Sequence, residues 1–387
     1  MAELGPVTCA GCGLLCDDVT VEDTHDGVRL TPRCGLGAEW FAQRRRGADG
    51  APAATIDGES VDVEFALARA AELLRGARRP LLDGFDHATI EDARAAVALA
   101  DRVGALMSTG VAAGPWPGAP ALPLRGASTA TLGEIRDRSR VVVIWREDPV
   151  TSHPRLLERL RVSGHRALVV VDDRETSTAE RADLRLSWGR ERDLEALTSL
   201  QVLQRGLGLP PGDLAADLTG LMERWGSVPH AAVVYGPALT AGAGGQRRAL
   251  ALYELVRALN HGRHVVTLEL PRAPGCRSAD DVLAWQSGYG GHVDFATGHP
   301  ELVTATRPLD DVDVTLLVEP APGAVAEIAL GGVAAGPDVQ VWIRTAPAGT
   351  VHRLDGVPLP LQPAEPDDAP TAADVLTRLL AAAEVDP

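Results

Sequence analysis

Four cysteines carry the first chemical signal in the chain. Cys9, Cys12 and Cys16 stand in CAGCGLLC with the spacing C-x2-C-x3-C, and Cys34 opens the later segment CGLGAEW. Thiolates two and three residues apart can wrap one metal centre from a single loop, and a distant fourth can close the cage. Glycines beside the thiols (Gly11, Gly13, Gly35, Gly37) leave room for a tight backbone. This donor set predicts a [4Fe–4S] cluster on Cys9, Cys12, Cys16 and Cys34. Structural zinc accepts the same donors, although more often through two C-x2-C pairs, and a relic loop that binds nothing is the third reading. A disulfide framework fits poorly with a chain of 387 residues that reads as cytoplasmic. Cys276, in PRAPGCRS, has no partner at ligand spacing and reads as a lone loop thiol.

Other chemistry is narrowed by what is missing. All 37 cationic residues are arginine, so mechanisms that need a phosphate-loop or Schiff-base lysine are excluded. A formal charge of −16 argues against nucleic acid as a partner, since phosphate neutralisation needs clustered cations. The Arg44–Arg46 trio reads as a solvated turn. No H-E-x-x-H or G-x-S-x-G motif occurs, and GLGLPPG is not a dinucleotide fingerprint. His261 and His264 bracket a helix-to-strand turn, and His153 before Pro154 reads as a packing or capping residue. Neither carries a catalytic assignment. With no apolar run of 18 residues and no basic, apolar leader, the chain is expected to be cytoplasmic, without a membrane span.

The elements that position the thiols and loops follow from periodicity. Short apolar runs at Pro80–Asp83, Val141–Trp145, Ala167–Val171, Ala231–Tyr235, His264–Leu268, Val314–Val318 and Val339–Ile343 read as strands buried on both faces. Helical patterns lie between them at Phe65–Leu74, Ile90–Val103, Leu194–Leu203 and Gln246–Asn260. The alternation predicts an α/β fold built on mainly parallel sheets. Three consecutive domains are expected: a cysteine-rich module over 1–50, an α/β domain over 51–225, and a second α/β domain over 226–387. A linker is expected at Gly47–Gly58, a break at 205–228, and an extended arm at Pro358–Pro370 before a last helix, Ala372–Ala383.

Several segments together resemble the B subunit of formylmethanofuran dehydrogenase, including its bacterial relatives in the formyltransferase/hydrolase complex. They are CAGCGLLCDDV with CGLGAEW, STATLGEIRDRSRVVVIWREDPVTSHPRLLER at Ser128–Arg159, and WQSGYGGHVDFATGHP at Trp285–Pro300. A wider resemblance to molybdopterin oxidoreductases rests on VVVDDRETSTAERADLRLSWGRERDLEAL at Val169–Leu197 and on YGPALTAGAGGQRRALALYELVRALN. The resemblance implies Rossmann-like parallel-sheet domains behind a small iron–sulfur module. In catalytic members, it implies two pterin guanine dinucleotides around molybdenum or tungsten.

Three departures argue against that metallopterin here. The metal-ligating cysteine of a V-C-H-G-P loop is replaced by Ala112 within Val111, Ala112, Ala113, Gly114 and Pro115. The W-G-x-N-P turn becomes Trp145, Arg146, Glu147, Asp148 and Pro149, and the P-G-x-D loop becomes Arg190, Glu191, Arg192 and Asp193. A missing glycine removes a close backbone approach, and the new carboxylates repel a pyrophosphate. The resemblance therefore implies a non-redox scaffold subunit of a formyltransferase/hydrolase complex, which takes formyl-tetrahydromethanopterin to formate through a formylmethanofuran-like carrier. The partners it implies are an A-type hydrolase subunit, a β-helical C-type subunit and a D-type formyltransferase subunit. The competing readings are an active molybdenum or tungsten oxidoreductase and a stand-alone nucleotide-binding protein.

Overall fold

The computed structural model describes residues 3–25, 27–48, 51–110, 121–162, 166–271, 277–303, 311–320, 323–333, 336–362 and 368–384. Its strands in chain order begin with β1 (Glu3–Cys9), β2 (Cys16–Thr24), β3 (Gly27–Thr31), β4 (Ala54–Ile56), β5 (Glu59–Ser60), β6 (Pro80–Asp83) and β7 (Leu106–Ser108). Next come β8 (Val141–Trp145), β9 (Ala167–Val171), β10 (Leu184–Leu186), β11 (His230–Tyr235) and β12 (His264–Glu269). The last are β13 (His292–Asp294), β14 (Glu301–Leu302), β15 (Val314–Val318), β16 (Ala326–Gly331), β17 (Val339–Arg344), β18 (Gly349–His352) and β19 (Pro358–Leu361). No helix of the described residues is long and apolar enough to cross a membrane.

Two compact units divide the chain, residues Met1–Pro115 with Ala273–Pro387, and residues Trp116–Arg272. This differs from three consecutive domains. The expected division near 225 separates β8 and β9 from β11 and β12, yet β8 and β11 are hydrogen-bonded neighbours from Val141↔Ala231 to Trp145↔Tyr235. The expected division at 50 fails for a similar reason. Glu319 holds Arg44 at 3.2 Å, and the Leu354 amide donates to the Gly13 carbonyl at 2.9 Å, so the N-terminal elements belong to the larger unit. Inside the expected linker, β4 pairs with β17.

The 116–272 unit holds a five-stranded sheet in the order β10-β9-β8-β11-β12. Every pairing in it is parallel. Both β8 and β11 are buried along their length, which explains their unbroken apolar sequences. Helices Asp193–Gln204, Asp213–Gly226 and Gly245–Leu259 pack Leu197, Leu218, Leu221, Trp225, Leu252 and Leu255 against Val141, Val143 and Val233. A Leu fully buried in this way contributes about 1.5–3 kcal/mol. Helix Asp213–Gly226 occupies the region expected to be a break; its Leu214, Leu218, Leu221 and Trp225 form one buried stripe.

The larger unit carries a nine-stranded mixed sheet, β14-β13-β7-β6-β15-β16-β17-β4-β5, parallel from β7 to β17 and antiparallel at both ends. Leu82, Met107 and Val293 share a core with helices Ile90–Val103, Ser278–Ser287 and Ala372–Glu384. The opposite face carries Leu81, Leu106 and Val303. Beside them Arg79 donates to both oxygens of buried Asp294, at 2.9 and 2.7 Å. Strands β1-β2-β3 form a separate antiparallel sheet, and helix Gly35–Ala48 follows them. Arg44 lies in that helix rather than in a solvated turn, with its guanidinium 4.4 Å from the Trp40 ring centroid. The expected C-terminal arm is present as β19, paired with β18, followed by helix Ala372–Glu384.

Candidate functional site

Three places answer to the sequence reading: the cysteine loop and the carboxyl-end crevice of each large sheet. In the cysteine loop, β1 ends on Cys9 and β2 begins on Cys16, and the two are direct cross-strand partners. Cys12 lies in the turn between them, where the Leu15 amide donates to its carbonyl at 3.2 Å. Cys34 precedes helix Gly35–Ala48. A Cβ built on Gly37 would come 2.8 Å from Cys9 Sγ and 3.8 Å from the Cys34 Cβ, so that glycine is the shared wall between the two distant thiols. Burial pushes the Cys9 thiol up to about 12, and the neighbouring Cys12, Cys16 and Cys34 add to the rise. The four thiols thus lie in one small region. Their side chains do not surround a common point: among the described residues, no three His, Cys, Asp or Glu side chains are arranged to hold a metal ion. Cys276 and the segment Val111–Pro115, with Ala112, lie outside the described residues.

Doubly wound sheets bind ligands where the strand order reverses, outside the carboxyl ends of the strands. In the five-stranded sheet, that point lies between β8 and β11, and the chain itself fills it. Arg146, directly after β8, has φ 56°, a left-handed conformation that glycine adopts without strain. Its side chain is 2% exposed. Arg146 Nε donates to Asp193 Oδ2 at 2.9 Å and Nη2 to Asp193 Oδ1 at 3.0 Å. The remaining donors reach Asp173 Oδ1 and the Trp188 carbonyl, both at 2.6 Å. Asp193 also accepts from the indoles of Trp145 at 3.1 Å and Trp188 at 3.0 Å. A buried carboxylate is tolerated when paired and hydrogen-bonded in this way.

The rest of that crevice is similarly committed. A Cβ on Gly236, after β11, would meet the Glu147 carboxylate and the Arg146 carbonyl. Asp148 accepts from the Thr178 amide and hydroxyl at 2.9 and 2.5 Å, which ties the turn after β8 to the segment after β9. Arg248 donates to the Leu239 and Ala241 carbonyls, both at 2.5 Å, and Arg190 also donates to Ala241. These cations hold the loop after β11 rather than facing an open phosphate cradle. His153 is 2% exposed, and burial lowers it to about 4, which fits a packing role. The Asp193 carboxylate already holds a guanidinium, and the position of the motif's glycine carries the side chain that supplies it.

In the nine-stranded sheet, order reverses between β6 and β15. The register places Asp83 of β6, Ser108 of β7 and His292 of β13 in one row, at the carboxyl ends of β6 and β7 and the amino end of the antiparallel β13. Gly84 turns the chain there with φ 88°, and a Cβ on it would lie 2.5 Å from the Val318 carbonyl. The short helical turn Phe85–His87 then presents Asp86, and the first turn of helix Ser278–Ser287 presents Asp280. Thr109 Oγ1 donates to Asp280 at 2.6 Å. Burial, reinforced by the charges of Asp83 and Asp280, pushes the Asp86 carboxyl up to about 7. Burial also raises Asp280 and lowers His292, the latter partly offset by Asp83. Sequence reasoning stopped at the strand and did not read this cluster. The available signal was LLDGFDH: a buried strand ending in Asp-Gly, where an α/β sheet places its ligands.

Comparisons with known proteins agree with the resemblance. No protein-family model matches the chain. It is 27% identical over 414 aligned residues to the B subunit of tungsten-containing formylmethanofuran dehydrogenase 2 from Methanocaldococcus jannaschii, covering 92% of both chains. The protein of the same description from Methanococcus maripaludis is 26% identical over 402 residues, again with 92% of each covered. Among solved structures, a chain of the formyltransferase/hydrolase complex of Methylorubrum extorquens, in complex with methylofuran, superposes with a TM-score of 0.69 at 24% identity. That match covers 85% of this chain and 98% of the other, and it shows the shared fold. The chain is thus similar over 92% of its length to the B subunit of formylmethanofuran dehydrogenase, and it shares the fold of a chain of the formyltransferase/hydrolase complex.

Proposed function

We propose that the chain is a non-redox B subunit of a formyltransferase/hydrolase-type complex. The complex would convert formyl-tetrahydromethanopterin to formate through a formylmethanofuran-like carrier, and this chain would assemble and channel rather than break bonds. Homology with the B subunit over 92% of the chain supports the family role. The observation that carries the non-redox part is Arg146, buried on Asp193 at the reversal point of the five-stranded sheet. A guanine dinucleotide would have to displace that guanidinium and leave two or three buried charges unpaired, which is costly. The proposed partners are an A-type hydrolase subunit, a β-helical C-type subunit and a D-type formyltransferase subunit. A [4Fe–4S] cluster on Cys9, Cys12, Cys16 and Cys34 is part of the proposal, supported by the spacing and by the glycine wall they share. Its function would be to tie the β1–β2 turn to the start of helix Gly35–Ala48.

The test is anaerobic purification of the chain with its co-eluting partners, followed by metal and pterin analysis. The reading expects three further subunits, about four irons per chain, and neither molybdenum, tungsten nor guanine nucleotide. Stoichiometric tungsten or molybdenum would overturn it in favour of an oxidoreductase. Elution as a lone chain with bound nucleotide would favour the stand-alone reading, and absence of iron would remove the cluster alone.

A further inference from the structure

Charge is divided unevenly between the two units. The 116–272 unit holds 21 of the 37 arginines against 18 of the 53 acids, a formal +3, whereas the rest of the chain holds 16 against 35, a formal −19. Part of that positive charge is gathered at the amino edge of the five-stranded sheet, at the other end of the strands from the crevice closed by Arg146. The ladder there continues one residue beyond β8 and β9. The Arg140 amide donates to the His230 carbonyl at 3.0 Å, the Arg140 carbonyl accepts from the Ala167 amide at 2.9 Å, and His230 pairs with His264. Arg166, Arg140, His230 and His264 therefore stand in one row across four adjacent strands, about 4.8 Å apart from strand to strand, and side chains of one row share a face. The two imidazoles are stacked accordingly, with 6.2 Å between centroids.

Two further arginines widen the row. Arg166 donates to the Leu160 carbonyl, which sets the exposed Arg161 beside it. Arg138, on the last turn of helix Leu132–Arg138, is 69% exposed and lies 3.6 Å from Glu134. The acids of that helix are already engaged: Glu134 also lies 3.5 Å from His230 Nε2, and Asp137 pairs with Arg136 at 2.8 Å. Among the described residues, no carboxylate pairs directly with Arg140, Arg161 or Arg166. Like charges set side by side on neighbouring strands are unfavourable, and a partner of opposite sign offsets that cost. We propose that this edge is the docking surface for an acidic segment of another protein chain, whose carboxylates engage Arg138, Arg140, Arg161 and Arg166. Guanidinium forks hold carboxylates bidentately, and a patch of one sign steers a complementary surface onto itself. A nucleic acid is disfavoured as occupant by the −19 of the rest of the chain. The inference rests on the proposed function only in taking the docked chain to be another subunit.

The test uses the full chain and a fluorescent oligo-aspartate peptide of about ten residues, read by anisotropy. The peptide is expected to bind, and to bind about tenfold more weakly when salt rises from about 50 to about 200 mM. Arg140→Glu with Arg166→Glu is expected to weaken binding at least about tenfold; Arg140→Gln with Arg166→Gln is the second pair if the reversal does not fold. Arg69→Glu with Arg378→Glu, the same charge change at partly exposed sites of the other unit, is expected to leave binding unchanged. In the assembled complex, the Arg140 and Arg166 reversal is expected to release a partner at lower salt than the unsubstituted chain does. Elution of the unsubstituted chain alone would end the subunit reading, and the peptide would still decide the surface. Absence of peptide binding, an equal loss from the Arg69 and Arg378 pair, or tighter binding of tripolyphosphate than of the peptide would overturn the site.

Discussion

The two large sheets share one architecture and differ in how each treats the carboxylates at its reversal point. In the five-stranded sheet, Asp193 is wholly buried and accepts from Arg146, Trp145 and Trp188. In the nine-stranded sheet, Asp86 faces Asp83 and Asp280, with a proton as its available counter-charge. The strands arrive the same way and offer the same crevice, so backbone topology does not decide which one is closed. The residue following the central strand does: β8 is followed by an arginine that turns back into the crevice, and β6 by a glycine too close to β15 to carry a side chain. The crevice of the five-stranded sheet thus supplies a counter-charge to its buried carboxylate from within, and Asp86 is left among charges of its own sign.

The comparison breaks most directly at Arg146. Arg146→Ala leaves Asp193 buried with two indole donors and without its ion-pair partner, at an expected cost of about 3–5 kcal/mol in a urea or guanidinium denaturation series. The Trp145 and Trp188 rings lie 5.9 Å apart beside Asp193, so tryptophan emission should report the change locally. Replacing both partners, Arg146→Met with Asp193→Asn, should recover part of that loss because no uncompensated charge remains. If Arg146→Ala cost less than about 1 kcal/mol, the guanidinium would not be the internal counter-charge of that crevice.

At the other sheet, the sign is reversed. Asp86 titrates near 7 in the folded chain against an ordinary value of 3.8, so the folded state holds the extra proton between those values. Stability contributed by this group is therefore unaffected below about pH 4, falls as pH rises from there to about 7, and stays lower above. A shift of about three units corresponds to roughly 4 kcal/mol as an upper bound. Asp86→Asn should remove that dependence, leaving the variant as stable as the unsubstituted chain near pH 4 and more stable by about 2–4 kcal/mol at pH 8. Denaturation midpoints at pH 5, 6.5 and 8 check it. A loss of stability at pH 8 would mean that Asp86 is paired in solution.

What the sequence revealed follows the same division. Strands buried on both faces were legible to the residue: β6, β8, β9 and β15 coincide with the apolar runs, because a parallel central strand needs little besides unbroken burial. Short strands such as β7 and β13 were not, since three residues carry no period and are set by the neighbours they join. Unit boundaries were also invisible, because the chain leaves one sheet near 115 and returns near 273, and a discontinuous unit has no compositional edge. Within the sites, Arg146 was identified as a departure from one motif and Asp193 as the residue kept from another, but their contact across 47 positions was not. The acids after β6 were missed although LLDGFDH marks a buried strand ending in Asp-Gly, and Asp280 comes from a segment almost 200 residues away.

The smallest expected effect lies at the start of the helix that follows the turn of Asp86. Thr89 caps helix Ile90–Val103: its Oγ1 accepts from the Asp92 amide at 3.0 Å, while Asp92 returns a bond to the Thr89 amide at 2.9 Å. Asp92 also accepts from the Ala373 amide at 2.7 Å, so this carboxylate, a short way beyond the turn of Asp86, has its donors built in. Thr89→Ala removes one cap bond and should cost about 1 kcal/mol, measured as a small shift in the denaturation midpoint. A loss well above about 2 kcal/mol would mean that the cap also holds Asp92 for the Ala373 amide, so that a neutral hydroxyl fixes a buried carboxylate at this sheet as the Arg146 guanidinium fixes Asp193 at the other.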